Sequence, residues 1–188
     1  YSDLGLSKEV AATAVTRYVD GVSATAGTSA NYAITKTGAD KDKTYGGQGV
    51  LTEVYYDADN KTVTIIEINT YVGIVTKVTK DTDKTDASIE LKALDTDGKA
   101  TGSAMKVEKA TGFNKDDVVL FTKYGATHTV DVNSLTTAKT ITGALTKIVN
   151  NDTYTIGGTD YKVNAAATVT MPTALSSTKT YTYYVDAN

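Results

Sequence analysis

Apolar and polar residues alternate along most of the chain, and short turn-forming clusters interrupt the alternation. The pattern predicts antiparallel strands at 51–56 (LTEVYY), 62–68 (TVTIIEI), 72–78 (VGIVTKV), 88–94 (SIELKAL) and 104–108 (AMKVE). Further strands are predicted at 118–122 (VVLFT), 127–132 (THTVDV), 142–149 (TGALTKIV), 153–156 (TYTI), 161–163 (YKV) and 180–185 (TYTYYV). The intervening Gly157-Gly158, 95–98 (DTDG) and 57–60 (DADN) supply residues that accept φ > 0 or bond their own backbone. Near the N-terminus, 7–18 (SKEVAATAVTRY) could open as a helical turn capped by Ser7, but its Val and Thr content favours a strand from Ala12.

The strands repeat. Val72-Gly73-Ile74-Val75-Thr76-Lys77-Val78 matches Thr142-Gly143-Ala144-Leu145-Thr146-Lys147-Ile148, with Gly, Thr and Lys identical, at an offset of 142 − 72 = 70 residues. A hairpin-like pair and then a further strand follow each anchor, and THTVDV closes the second set as its fifth strand. The same order reads more faintly in the first third, as 12–19, 22–25, 32–35, 51–56 and 62–68. The fold class expected is all-β: tandem small antiparallel modules of about five strands, barrel- or sandwich-like, at 1–70, 71–138 and 139–188, the last incomplete. The strand around 181–185 should then lack its hairpin partner within this chain, and an open edge invites pairing.

Composition agrees with sheets. Roughly one residue in five is Thr, and 13 Tyr stand against 2 Phe and no Trp, a choice that suits a pleated, half-wet surface. The formal charge of −3 and the scattered Lys and Arg argue against nucleic acid as a partner. With no Cys, disulfides and thiolate chemistry are excluded. No apolar run approaches the ~18 residues of a membrane span, so membrane insertion is not expected. Starting at Tyr1 with no leader, the chain reads as a mature or excised piece.

Candidate chemistry is sparse. His128 is the only imidazole; on a strand it would share a face with Val130 and Val132, and beside the turn it would be solvated. No Gly-x-Ser-x-Gly elbow presents a nucleophile for it. Glu53, Asp57, Glu67, Glu90, Asp116 and Asp117 could supply a glycosidase pair, although Glu53 and Glu67 read better as rows of solvated side chains. The loops opening at Asp57 and Asp95 imitate an EF-hand but place Lys61 and Lys99 at the fifth ligand position and Ile68 and Lys106 at the twelfth, so both fail. YYDADNKTV is therefore read as a hairpin turn. A weaker calcium site would draw on Asp81, Asp83 and Asp86, against the preferred reading of a solvated loop. Gly46-Gly47-Gln48-Gly49 lacks the Lys-Ser/Thr of a phosphate cradle. No catalytic residue, cofactor or metal is assigned.

YSDLGLS at the start, followed by GGQGVLTEVYYDADNKTVTIIEINTYVGIVTKVTK, resembles the region downstream of the anchoring repeats in S-layer homology domain-containing surface proteins of anaerobic Gram-positive bacteria. The likeness covers most of 1–110, and the anchoring repeats themselves are not in this sequence. It implies a secreted, surface-displayed polypeptide of β modules with no catalytic motif to transfer. The expected function is a non-enzymatic structural protein of the extracellular cell surface or cell wall, partnered by itself or by other wall components. The alternative is an adhesion module binding a glycan or host protein, with Tyr55, Tyr56, Tyr181, Tyr183 and Tyr184 as the candidate ligand or assembly surface.

Overall fold

The computed structural model describes residues 15–24, 47–94, 98–164 and 173–185. The strands are β1 (Val15–Val19), β2 (Val22–Ala24), β3 (Val50–Asp57), β4 (Thr62–Asn69), β5 (Tyr71–Thr79), β6 (Ser88–Leu94), β7 (Ala100–Glu108) and β8 (Val118–Phe121). They continue as β9 (Lys123–Tyr124), β10 (Thr129–Val130), β11 (Thr136–Thr137), β12 (Lys139–Val149), β13 (Thr153–Ile156), β14 (Thr159–Lys162) and β15 (Ser176–Val185). Among the described residues a short 3₁₀ turn, Val132–Ser134, interrupts them. The fold is all-β, built of small and mostly antiparallel sheets.

Three sheets follow one another along the chain, in the orders β2-β1-β4-β3, β11-β8-β5-β6-β7 and β14-β13-β12-β15, with β9 and β10 as a separate ribbon. A single residue separates the last strand of one sheet from the first strand of the next: Thr70 between β4 and β5, and Ala138 between β11 and β12. Ala138 is held by its N–H, which bonds the Val118 carbonyl at 2.9 Å.

The second and third sheets share one pairing scheme. In each, the first strand (β5, β12) lies between the second (β6, β13) and the fourth (β8, β15), and the third (β7, β14) lies outside the second. A β-bulge falls at Thr76 between the pairs Val75–Leu91 and Lys77–Glu90, and at Thr146 between Leu145–Ile156 and Lys147–Thr155. Both threonines use the kink alike: Thr76 Oγ1 donates to the Glu90 carbonyl at 3.1 Å and Thr146 Oγ1 to the Thr155 carbonyl at 3.3 Å.

The glycines ahead of the bulges admit close packing. A Cβ on Gly73 would lie 2.9 Å from the Lys92 carbonyl oxygen and 3.0 Å from Phe121 Cε1; on Gly143 it would lie 3.1 Å from Gly157 N and 3.2 Å from Ile156 Cγ2. Matching side chains fill the cores: Val75, Leu91, Ile89 and Phe121 in the second sheet, and Leu145, Ile156, Tyr154 and Tyr183 in the third. Each fully buried aliphatic there contributes about 1.5–3 kcal/mol.

Four expectations change. β1 pairs in parallel with β4, from Val15–Val63 to Val19–Glu67, so the first sheet departs from the scheme of the other two. The expected strand 127–132 is cut short because His128 has φ 54° in the turn between β9 and β10, while Asp131 caps the 3₁₀ turn by accepting from Asn133 N–H. Instead β11 is the strand that adds to β8, through Thr136–Leu120 and Thr137–Val119. β7 begins at Ala100 rather than 104, with Gly102 at φ 73°. The expectations at 7–14, 25 and 32–35 lie outside the described residues.

Candidate functional site

The hairpin at Asp57 is closed by its own side chain. Asp57 Oδ1 accepts from the N–H groups of Asp59 and Asn60, both at 3.0 Å, and Oδ2 accepts from Asn60 Nδ2 at 2.7 Å. These donors, the Asn60 amide foremost, hold the Asp57 carboxyl below its ordinary pKa. Lys61 completes the turn at φ 54°. The oxygens a metal would need are thus spent on the turn, the role expected for YYDADNKTV.

Tyr55 and Tyr56 point to opposite faces of β3. Tyr55 is 54% exposed beside Leu51 at 58%, and its hydroxyl donates to Glu53 Oε2 at 2.9 Å, which raises its pKa. Tyr56 is half-buried. Tyr184 is 43% exposed, whereas Tyr183 packs against the core of the third sheet. Tyr181 pairs with Gly143 in β15, and its side chain lies outside the described residues. The four described side chains, Tyr55, Tyr56, Tyr183 and Tyr184, therefore do not share one continuous face.

The carboxylates are dispersed. Glu67 is a buried-side partner rather than a solvated one: Arg17 donates to it through Nε at 3.2 Å and Nη2 at 2.5 Å, on the face of the first sheet opposite Glu53. Glu90 pairs with Lys77 at 3.0 Å, Asp116 with Lys115 at 3.0 Å, and Asp117 accepts from Asn114 N–H at 2.7 Å. His128 is exposed in its turn. Asp81, Asp83 and Asp86 are exposed around a Thr82–Thr85 bridge. Among the described residues no three His, Cys, Asp or Glu side chains are arranged to hold a metal ion, and no helix is long and apolar enough to cross a membrane.

Side chains converge at Asp20, where the first two sheets join. Asp20, in the β1–β2 turn at φ 51°, is only 8% exposed. Its Oδ1 accepts from Asn69 N–H at 2.8 Å, and its Oδ2 accepts from Asn69 Nδ2 at 3.1 Å and from the Tyr71 hydroxyl at 2.6 Å. Its carbonyl accepts from Gly125 N–H at 2.8 Å, which ties the first sheet to the β9–β10 ribbon. Tyr71 stacks on Phe121 with centroids 5.8 Å apart, and Lys123 Nζ sits 4.1 Å from the Tyr71 ring centre. Burial first, then the bond to Asp20 and its charge, push the Tyr71 phenol well above its ordinary pKa of 10.0.

The third sheet reaches the same joint. Asn164, two residues past β14, donates through Nδ2 to the Thr70 carbonyl at 2.9 Å, while Thr70 N–H bonds the Gly49 carbonyl at 2.7 Å. A Cβ on Gly49 would collide with the Asn164 amide. Asp20-Gly21 falls between the segments 12–19 and 22–25, and nothing local to it points to Asn69 or Tyr71 as partners; an acid in a tight turn bonding its own backbone is the commoner case.

A shallow groove of about 520 Å³ opens between β7 and the β9–β10 ribbon, with Tyr71, Phe121 and Met105 in its lining and Lys106, Lys123 and His128 around them. Its rings are already engaged with each other and with Lys123, and Lys106 pairs with Glu108 at 2.7 Å. What the arrangement offers is a hydrogen-bonded connection between sheets and, on β15, a strand paired with β12 on one side and with no strand on the other among the described residues. No protein-family model, curated protein or solved structure matches the chain.

Proposed function

We propose that the chain is a non-enzymatic structural protein of the bacterial cell surface, whose tandem β modules space, assemble or display material outside the cell. One observation carries this reading: two sheets with the same pairing order, bulge and core positions follow each other through the single residue Ala138. A repeat joined so closely transmits length and orientation, which a spacer requires. The buried bonds of Asp20 and Asn164 add stiffness at the first join. The dispersal of the carboxylates onto local partners gives hydrolysis no support.

An adhesion reading draws on the exposed Tyr55 and Leu51 of β3. The two readings separate in one pair of measurements. Concentration-dependent association in size-exclusion chromatography, with ordered assemblies in electron micrographs, supports the structural reading. Saturable binding on a glycan array, lost in Tyr55→Ala, with a chain that stays monomeric, replaces it by adhesion.

A further inference from the structure

Open sheet edges invite unwanted pairing, and short strands, charges and irregular backbone are the devices that guard them. Among the described residues the outer strands of the three sheets are β2, β3, β7, β11, β14 and β15. β2 has three residues and β11 two. β14 has four, and Asp160 and Lys162 are among them. β3 carries Glu53 and Asp57, while β7 carries Lys106 and Glu108 and has Gly102 at φ 73°. β15 has none of these guards: it runs for ten residues without Gly or Pro, Lys179 is its one charge, and its Thr and Tyr favour strand pairing.

The outward groups of β15 form a self-matching set. Gly157 N–H bonds the Ala144 carbonyl at 3.4 Å, so Ala144 addresses β13 and its neighbour Gly143 addresses β15. Tyr181, opposite Gly143, and Tyr183, opposite Ile141, are therefore turned to β12, and the backbone groups of Thr180, Thr182 and Tyr184 point outward. Resting on the assembly reading above, we propose that β15 pairs antiparallel with β15 of a second copy of this chain, about a two-fold axis at Thr182. Thr182 then opposes its own counterpart and Thr180 opposes Tyr184, so each outward N–H and carbonyl of these residues meets another. Lys179 opposes Val185, so like charges are not brought face to face, and Thr180 with Tyr184 is a pair of β-branched and aromatic residues that stabilises neighbouring strands. The guards on the other outer strands described select β15 itself as the occupant. The two third sheets become one, in the order β14-β13-β12-β15 and then the reverse, and the two-fold closes this contact at a dimer.

Because the chain has no cysteine, single-cysteine variants read the register directly. Opposed residues of a hydrogen-bonded pair lie about 5.5 Å apart at Cα, whereas Thr180 and Tyr184 each lie roughly 14 Å along the strand from their own counterparts. With a short bismaleimide, Thr182→Cys is expected to cross-link to a dimer. Thr180→Cys and Tyr184→Cys are each expected to stay monomeric alone and to give a dimer when mixed in equal amounts, which also shows that both remain folded. A Thr182→Cys chain left monomeric while the wild type associates in size-exclusion chromatography overturns the pairing, as does cross-linking of Thr180→Cys or Tyr184→Cys alone, and either result leaves the assembly reading standing. A wild-type chain that never associates overturns both.

Discussion

The Tyr71 hydroxyl donates a 2.6 Å hydrogen bond to Asp20 Oδ2, so the first residue of the second sheet is fastened to the first turn of the first sheet. The bond crosses 51 residues of sequence and lands on a carboxylate that is almost fully buried. Tyr71→Phe keeps the stacking on Phe121 but leaves Asp20 with the two Asn69 donors. A loss of about 1.5–3 kcal/mol in chemical denaturation is expected, as for other hydrogen bonds to charged groups.

The same pair predicts a pH response. Because the folded-state pKa of Tyr71 lies above its ordinary value of 10.0, the contribution is complete below pH 10 and is lost as pH rises toward the folded value. The stability difference between wild type and Tyr71→Phe should be constant from neutral pH to the onset of phenol ionisation and should narrow above it. A gap that widens with alkaline pH would contradict the assignment.

Gly73→Ala and Gly143→Ala probe the repeat. Both Cβ atoms would meet backbone, the Lys92 carbonyl at 2.9 Å for Gly73 and the Gly157 N at 3.1 Å for Gly143, and Gly73, pressed also by Phe121 at 3.0 Å, is the more confined. Both substitutions should destabilise by about 1–3 kcal/mol, with Gly73→Ala the costlier. Equal tolerance of alanine at both sites, read from denaturant midpoints, would count against close packing ahead of the bulges.

Asp57 tests the turn against a metal site. Its lowered pKa means that its contribution is present above the ordinary carboxylate pKa of 3.8 and is lost as pH falls through the folded value. Asp57→Ala should lower the thermal midpoint at neutral pH and flatten the acid side of the stability profile. Calcium should leave the midpoint of the wild-type chain unchanged. A calcium-dependent rise abolished by Asp57→Ala would restore the metal reading.

Much of this architecture was legible in the residues. LTEVYY and TVTIIEI became β3 and β4 nearly residue for residue, because Val54, Tyr56, Val63 and Ile65 share one face and Asp57 closes the turn to Asn60. The Gly-x-x-Thr-Lys match between 72–78 and 142–148 also had a structural cause, since the glycine permits close approach and the threonine occupies a bulge.

Other features left no local trace. The parallel pairing of β1 with β4 joins segments far apart in sequence, and alternation reports which side is buried, not which neighbour lies beside a strand. β11 is two exposed threonines whose strand character comes from β8, and His128 breaks a good alternating run by adopting a left-handed conformation. Asp20 looked like ordinary turn chemistry because its partner, Tyr71, belongs to the next sheet.

The central claim, that the third sheet repeats the pairing scheme of the second with no strand on the outer edge of β15 among the described residues, is met most directly by hydrogen exchange at the Thr180 and Thr182 amides across a dilution series. These amides should exchange fast in dilute solution and gain protection as the chain associates, while the Tyr181 and Tyr183 amides, directed at β12, stay protected throughout. Protection of Thr180 and Thr182 that is equally high at every dilution would contradict it.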